Sequence, residues 1–172
     1  MKKFLLISLV IFGLLGGNVM AQSLNTRLKH LGTYSDWSAY SYQDKDGKVC
    51  YVFSNPKKSE GKYTRRGDVF LMITQRPKMK MYDVFNVTAG YIYKSKTEAS
   101  IKIDAKPAFP LFTYEEQAWT NTSKMDKRLV NAMKSGNIAV VEGTSSRGTL
   151  TTDTFSLKGF TKAYNASKKA CK

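Results

Sequence analysis

"DWSAYSYQDKDGKVCYVFSN", residues 36–55, decides the fold of this chain. Two runs rich in aromatic and β-branched residues, 36–43 and 48–55, flank an Asp46-Gly47 pair. Runs of that kind favour strands, and Asp-Gly between them is a strong hairpin signal. "DKDGK" (44–48) has the outline of a calcium loop, but the other oxygen ligands of that motif are missing, so the turn reading prevails. The first expected element is an antiparallel pair with Cys50 in its second strand.

The same pattern continues downstream. "DVFLMITQ" (68–75) is apolar on both faces, and "YDVFNVTAGYIY" (82–93) puts Phe85, Val87, Ala89 and Tyr91 on one face. "SIKID" (100–104) alternates, with Ile101 and Ile103 inward. "KPAFPLFTYEEQAWT" (106–120) carries two prolines, which predicts an edge strand or a short pair of strands. One internal helix stands out in "TSKMDKRLVNAMKSG". It has Thr122 or Ser123 as N-cap, a stripe of Met125, Leu129, Ala132 and Met133, and Gly136 as its stop. "NIAVVEGT" and "GTLTTDTFSLKG" read as paired strands. "GFTKAYNASKKACK" reads as a terminal helix with Phe160, Ala163, Tyr164, Ser167 and Cys171 on one face. The expected fold is mainly β: a single-domain antiparallel β-sandwich or flattened barrel with one internal helix and a C-terminal helix.

The chain opens with Lys2 and Lys3, an apolar run from Phe4 to Leu15, and small residues before Ala21. That layout predicts a signal peptide over 1–21, a polar arm over 22–35 and the β domain over 36–172. No later run approaches the length of a membrane span. The expected location is therefore exported: periplasmic, outer-membrane associated or secreted.

A formal net charge of +15 at pH 7 favours polyanionic partners. Lys2 and Lys3 leave with the leader and lower it by two. Lysines outnumber arginines 22 to 6, which suits diffuse attraction better than bidentate phosphate recognition. Lys57, Lys58, Arg65, Arg66 and Lys78 lie in the densest clusters and are the candidate anion-binding residues. A merely soluble basic surface explains the same composition. Nucleic acid fits the charge but not the export signal.

Cys50 and Cys171 are the two cysteines, and in an oxidising compartment they are expected to pair as a structural disulfide. Their spacing does not suit a redox-active C-x-x-C site. His30 is the lone histidine. It lies in the expected arm, a poor place to hold a catalytic base, and one histidine with two oxidised cysteines cannot make a zinc site. Glu115 and Glu116 are adjacent and could not flank one scissile bond. No catalytic residue, metal or cofactor is expected.

"SSRGTLTTDTFSLKGF" (145–160) concentrates hydroxyls around an arginine and an aspartate. Ser145, Ser146, Arg147 and Asp153 read as a hydrogen-bonded structural corner or as a ligand-contacting loop. Gly148 supplies the turn, and Asp153 leans inward, where threonine hydroxyls or Arg147 could partner it.

"DWSAY", "KVCYVFSNPKK", "LMITQRP", "NVTAGY" and "VVEGTSSRGTLTTDTFSLKGF" with a terminal cysteine resemble the invasion-associated locus B proteins, small exported proteins of alphaproteobacteria. The resemblance spans about residues 31–172. It implies a β-rich periplasmic or surface-associated fold without cofactor or known catalytic residues. The expected function is a non-enzymatic interaction protein that meets anionic envelope components, or another envelope protein, through its basic surface. The alternative is a small-ligand or lipid carrier built on Phe109, Phe112, Tyr114 and Trp119.

Overall fold

The 36–55 stretch forms β2 (Trp37–Asp44) and β3 (Gly47–Ser54), paired antiparallel from Ser38↔Phe53 to Asp44↔Gly47. The turn falls one residue earlier than Asp46-Gly47 suggests. Lys45 and Asp46 are its centre, the Asp46 amide donates to Asp44 Oδ1 at 2.9 Å, and Gly47 takes a φ of 115° as the first residue of β3. The computed structural model describes residues 28–172, so the expected signal peptide and the start of the arm lie outside the described residues.

Within the described part of the arm, Lys29–Tyr34 form β1, which pairs with β2. This part of the expected polar arm is therefore a strand of the sheet. The segment lacks an apolar stripe because it is an edge strand, largely exposed, that draws its backbone hydrogen bonds from β2. A second unexpected edge strand, β4 (Lys58–Gly61), lies inside the charged 57–67 segment and pairs with β11. Its residues are all exposed, so no hydrophobic period announces it.

The other strands are β5 (Phe70–Arg76), β6 (Met81–Thr88), β7 (Ala99–Ile103), β8 (Phe109–Tyr114), β9 (Gln117–Trp119), β10 (Ile138–Thr144) and β11 (Leu150–Ser156). They join in one eleven-stranded antiparallel sheet ordered β1-β2-β3-β5-β6-β9-β8-β7-β10-β11-β4. The sheet does not close into a barrel. β8 is its corner. Phe112–Tyr114 pair with β9, while Phe109–Leu111 pair with β7. Pro110 sits in the second group and Pro107 precedes the strand, so β8 and β9 form the short pair expected for 106–120 and do not lie at an edge.

Both halves of the sheet bury one face in a common core. Val52, Leu71, Phe85 and Val87 come from one half; Ile101, Ile103, Val141 and Phe155 come from the other. The sandwich is tied across its end by Trp37, whose Nε1 donates to the Ser156 carbonyl at 2.9 Å. On β11, Thr151, Asp153 and Phe155 all point inward while Leu150 is exposed, in unbroken register with β10.

Helix α1 (Ser123–Ser135) starts at Thr122, whose hydroxyl accepts from the Met125 amide at 3.2 Å. Its buried face is Asp126, Leu129, Val130 and Met133, rotated from the expected Met125–Ala132 stripe to include a carboxylate. Asp126 Oδ1 accepts from the Phe85 amide at 2.9 Å and the Thr120 hydroxyl at 2.7 Å. Those bonds make its burial tolerable. Helix α2 (Phe160–Ala170) buries Phe160, Ala163, Tyr164 and Ser167, the face expected from sequence, and packs on β1, β2 and β3. The Cys50–Cys171 disulfide, with a Cα–Cα distance of 5.9 Å, fixes the end of α2 to β3.

Candidate functional site

Two segments far apart in sequence line one cleft of about 670 Å³. One wall is the 62–67 loop that follows β4; the other is the 145–149 turn between β10 and β11. Gly90–Ile92 closes the back. The turn forms because Gly148 adopts a φ of 83° with open space around it. The Ser145 amide donates to the Thr149 carbonyl at 2.9 Å, and the Thr149 amide donates to Ser145 Oγ at 3.2 Å. At the back, the Gly67 amide donates to the Gly90 carbonyl at 2.8 Å. Gly90 has a φ of 69°, and a Cβ there would lie 2.4 Å from the Gly67 carbonyl oxygen. This close approach of two backbones requires glycine.

Beneath the cleft, Arg66 and Asp153 form a bidentate ion pair. Nη1 donates to Oδ1 at 2.8 Å and Nη2 donates to Oδ2 at 2.6 Å. The side chains are only 5% and 2% exposed. Arg66 Nε donates to the Ala89 carbonyl at 2.6 Å, and the guanidinium lies over the rings of Tyr63 and Tyr91, 5.4 and 5.0 Å from their centroids. Tyr91 Oη and Thr151 Oγ1 share a hydrogen bond of 2.7 Å. Burial pushes the Tyr91 and Tyr93 hydroxyls above the ordinary tyrosine range, so both stay neutral. Asp153 therefore finds its partner in Arg66, not in Arg147, and the corner reading of Asp153 acquires a specific partner.

That pair also removes Arg66 from the basic surface: its charge is spent inside the protein. Lys57 and Lys58 are engaged too, by Asp36 at 2.5 Å and Glu60 at 2.8 Å, though both stay exposed. Lys78 packs its alkyl chain beside Gly47 and does not line the cleft. Arg65 does line it, together with Lys62 and Arg147. These three are exposed and have no carboxylate partner among the described residues. Ser145 and Ser146 stand next to Arg147 on the same wall, so the two separate sequence clusters meet. Lys62 and Arg147 were the members whose membership in one basic site only the fold reveals; the charge runs alone gave no means of pairing residues some 80 positions apart.

The aromatics expected to line an interior pocket lie elsewhere. Phe109 packs partly into the core. Phe112 is 47% exposed and Tyr114 66% exposed, while Phe112 and Trp119 stack with centroids 5.4 Å apart. With Lys80, Met81 and Tyr82 they border an open surface groove of about 590 Å³. The sandwich interior at these positions is filled by Leu111 and Ala118. His30 sits on β1 with Nε2 3.0 Å from Thr33 Oγ1, which in turn lies 3.0 Å from Ser38 Oγ. Glu115 and Glu116 lie in the β8–β9 turn. Among the described residues, no group of three His, Cys, Asp or Glu side chains is arranged to hold a metal ion, and no helix is long and apolar enough to cross a membrane.

The model of the Invasion associated locus B (IalB) protein family matches residues 37–168. The chain belongs to the IalB family. The match starts at the first residue of β2 and ends within α2, so the IalB region contains both walls of the cleft and the Arg66–Asp153 pair. No curated protein and no solved structure matches the chain.

Proposed function

We propose that this IalB family member is a non-enzymatic, exported interaction protein that meets anionic components of the cell envelope through its basic surface. The observation that carries this reading is the electrostatics of the cleft. Lys62, Arg65, Arg66 and Arg147 line it, and among the described residues no carboxylate does. Asp153 neutralises Arg66 from below, which leaves three cations facing outward from one concave surface. Concave, same-sign surfaces concentrate field and attract oppositely charged partners. The disulfide suits an oxidising compartment.

Co-sedimentation of the purified protein with anionic and zwitterionic vesicles across a salt series tests the reading. Binding to anionic vesicles should fall steeply between low and moderate ionic strength, because exposed charges are screened over about 10 Å at 0.1 M salt. Equal binding to both vesicle types, or binding indifferent to salt, defeats it.

A second reading, a carrier of small apolar ligands, draws on the Phe112–Trp119 groove. A lipid or metabolite that enters it should change Trp119 emission and leave Trp37, fully buried in the core, unaltered. A flat Trp119 response across a panel of such ligands removes this reading.

A further inference from the structure

We propose that the cleft between the 62–67 loop and the 145–149 turn binds a phosphorylated saccharide. This rests on the anion-binding reading above and names the ligand class and the residues that recognise it.

Three properties of the cleft select that class. First, its unpaired charges are set on opposite walls: Arg65 and Lys62 on one, Arg147 on the other. Arginine presents planar paired donors that match phosphate oxygens, and two such groups across a gap suit a compact, multiply bonded anion. Second, hydroxyls lie beside the charges. Thr64 and Ser146 line the cleft, and their side chains have no hydrogen-bond partner among the described residues. A ligand rich in hydroxyls can pair with them, whereas an acyl chain would leave them dry and unsatisfied. Third, two apolar plates are exposed in the same space, Ile92 at 57% and Tyr63 at 38%. They can cover the C–H face of a sugar ring, and their limited area is too small for a lipid tail. The volume of about 670 Å³ lies within the roughly 300–1,000 Å³ of small-molecule sites.

The floor is built in advance. Arg66 joins the 62–67 loop to β11 through Asp153, and Gly67 is bonded to Gly90 at the back. The 145–149 turn is held as well, by the Ser146 amide donating to the Ile92 carbonyl at 2.7 Å and the Thr149 hydroxyl donating to the Lys62 carbonyl at 3.5 Å. Both walls are thus in place before any ligand arrives, which lowers the ordering cost of binding. Lys62, Arg65, Thr64, Ser146 and Arg147 are the recognition residues; Arg66 and Asp153 are positioning residues.

The test is amide chemical-shift mapping on the full chain. Titrants are glucosamine 6-phosphate, glucosamine, inorganic phosphate, and vesicles carrying a phosphorylated glucosamine glycolipid beside phosphatidylglycerol vesicles. Glucosamine 6-phosphate should move the amides of Gly67, Gly90 and Gly148. Inorganic phosphate should bind the same place more weakly, and glucosamine should leave it unmoved. If only the glycolipid vesicles perturb those amides, the phosphosugar belongs to a membrane headgroup and the proposal stands. Arg147→Gln, on an exposed turn, and Arg65→Gln should each weaken binding by about tenfold or more, the worth of one charge-assisted hydrogen bond. Unperturbed cleft amides with every phosphosugar overturn the proposal. So does phosphate that binds as tightly as its sugar ester, or wild-type affinity in both variants. If anionic vesicles still bind in a salt-dependent way while the cleft stays silent, this inference falls and the broader function survives. If the cleft binds the sugar phosphate but no vesicle binds, the reverse holds.

Discussion

Arg66 and Asp153 face each other across the gap between the 62–67 loop and β11, doubly hydrogen-bonded and shut off from solvent. The geometry satisfies both charges, and the Ala89 carbonyl takes the remaining Nε–H. A buried pair of this kind costs desolvation to form, so its net contribution is small, but loss of one partner strands a charge in a dry site. Arg66→Met or Asp153→Leu alone should therefore cost about 3–5 kcal/mol. The double replacement should cost much less than the two together. Urea unfolding of the four proteins measures the cycle, and additive losses would show that the two side chains do not act as a pair.

Asp126 supplies a pH-dependent effect of definite sign. Burial raises its carboxyl above the ordinary aspartate value of 3.8, against the opposing pull of the Thr120 hydroxyl and the Phe85 amide. The unfolded chain thus ionises first as pH climbs past 3.8, and folding loses free energy until the folded carboxyl ionises as well. Asp126→Asn keeps an acceptor oxygen for both donors and abolishes that loss. Its stability relative to wild type should improve from pH 3.8 upward and level off beyond the raised folded value. Denaturation at a series of pH values reads the gap; a gap that does not change with pH contradicts the assignment.

The Cys50–Cys171 link closes a loop of 121 residues. The chain-entropy model gives it about 5 kcal/mol as a ceiling. Cys50→Ala/Cys171→Ala should lower the urea midpoint substantially and raise hydrogen exchange in α2 above that in β5. A variant that retains wild-type stability would mean that α2 is held by its apolar face alone. Thiol labelling of the native, unreduced protein should find no alkylatable sulfhydryl.

The two tryptophans should behave differently toward a soluble quencher. Trp37 is fully buried and packs edge-on against Phe160 at 4.8 Å, whereas Trp119 lies half-buried on the outer face of the sheet beside exposed Phe112. Acrylamide should quench Trp37→Phe, which retains Trp119, strongly. It should barely touch Trp119→Phe. Similar quenching constants would place the β8–β9 hairpin differently from the structure.

What the sequence disclosed was the structure that short-range pattern controls. The hairpin at 36–55 and the buried face of α2 follow from periods of two and of three to four. The inward tilt of Asp153 follows from its place between Thr151 and Phe155. The local charge run "KKSEGKYTRR" places Arg66 on the surface, because it says nothing of which member turns inward; that depends on a carboxylate 87 positions away. Asp126 is illegible for a related reason, since a carboxylate inside an apolar helical stripe looks like solvent-facing punctuation until its two donors are known. β1 and β4 are held by main-chain bonds with little burial, so they have no hydrophobic signature to read. The cleft itself is a product of topology, since β4 must lie beside β11 before its loop can face the 145–149 turn.

An open sheet has two unclosed margins, and here they are β1 and β4. Each carries its own deterrent to templated polymerisation. β1 is kinked where its register with β2 slips between His30 and Gly32, and β4 displays Lys58 and Glu60 on a four-residue rung. Irregular or charged margins of this sort discourage a second polypeptide from zipping onto the ladder. The sheet can thus stay open at both ends while neither end offers a flat, regular template to a neighbouring chain.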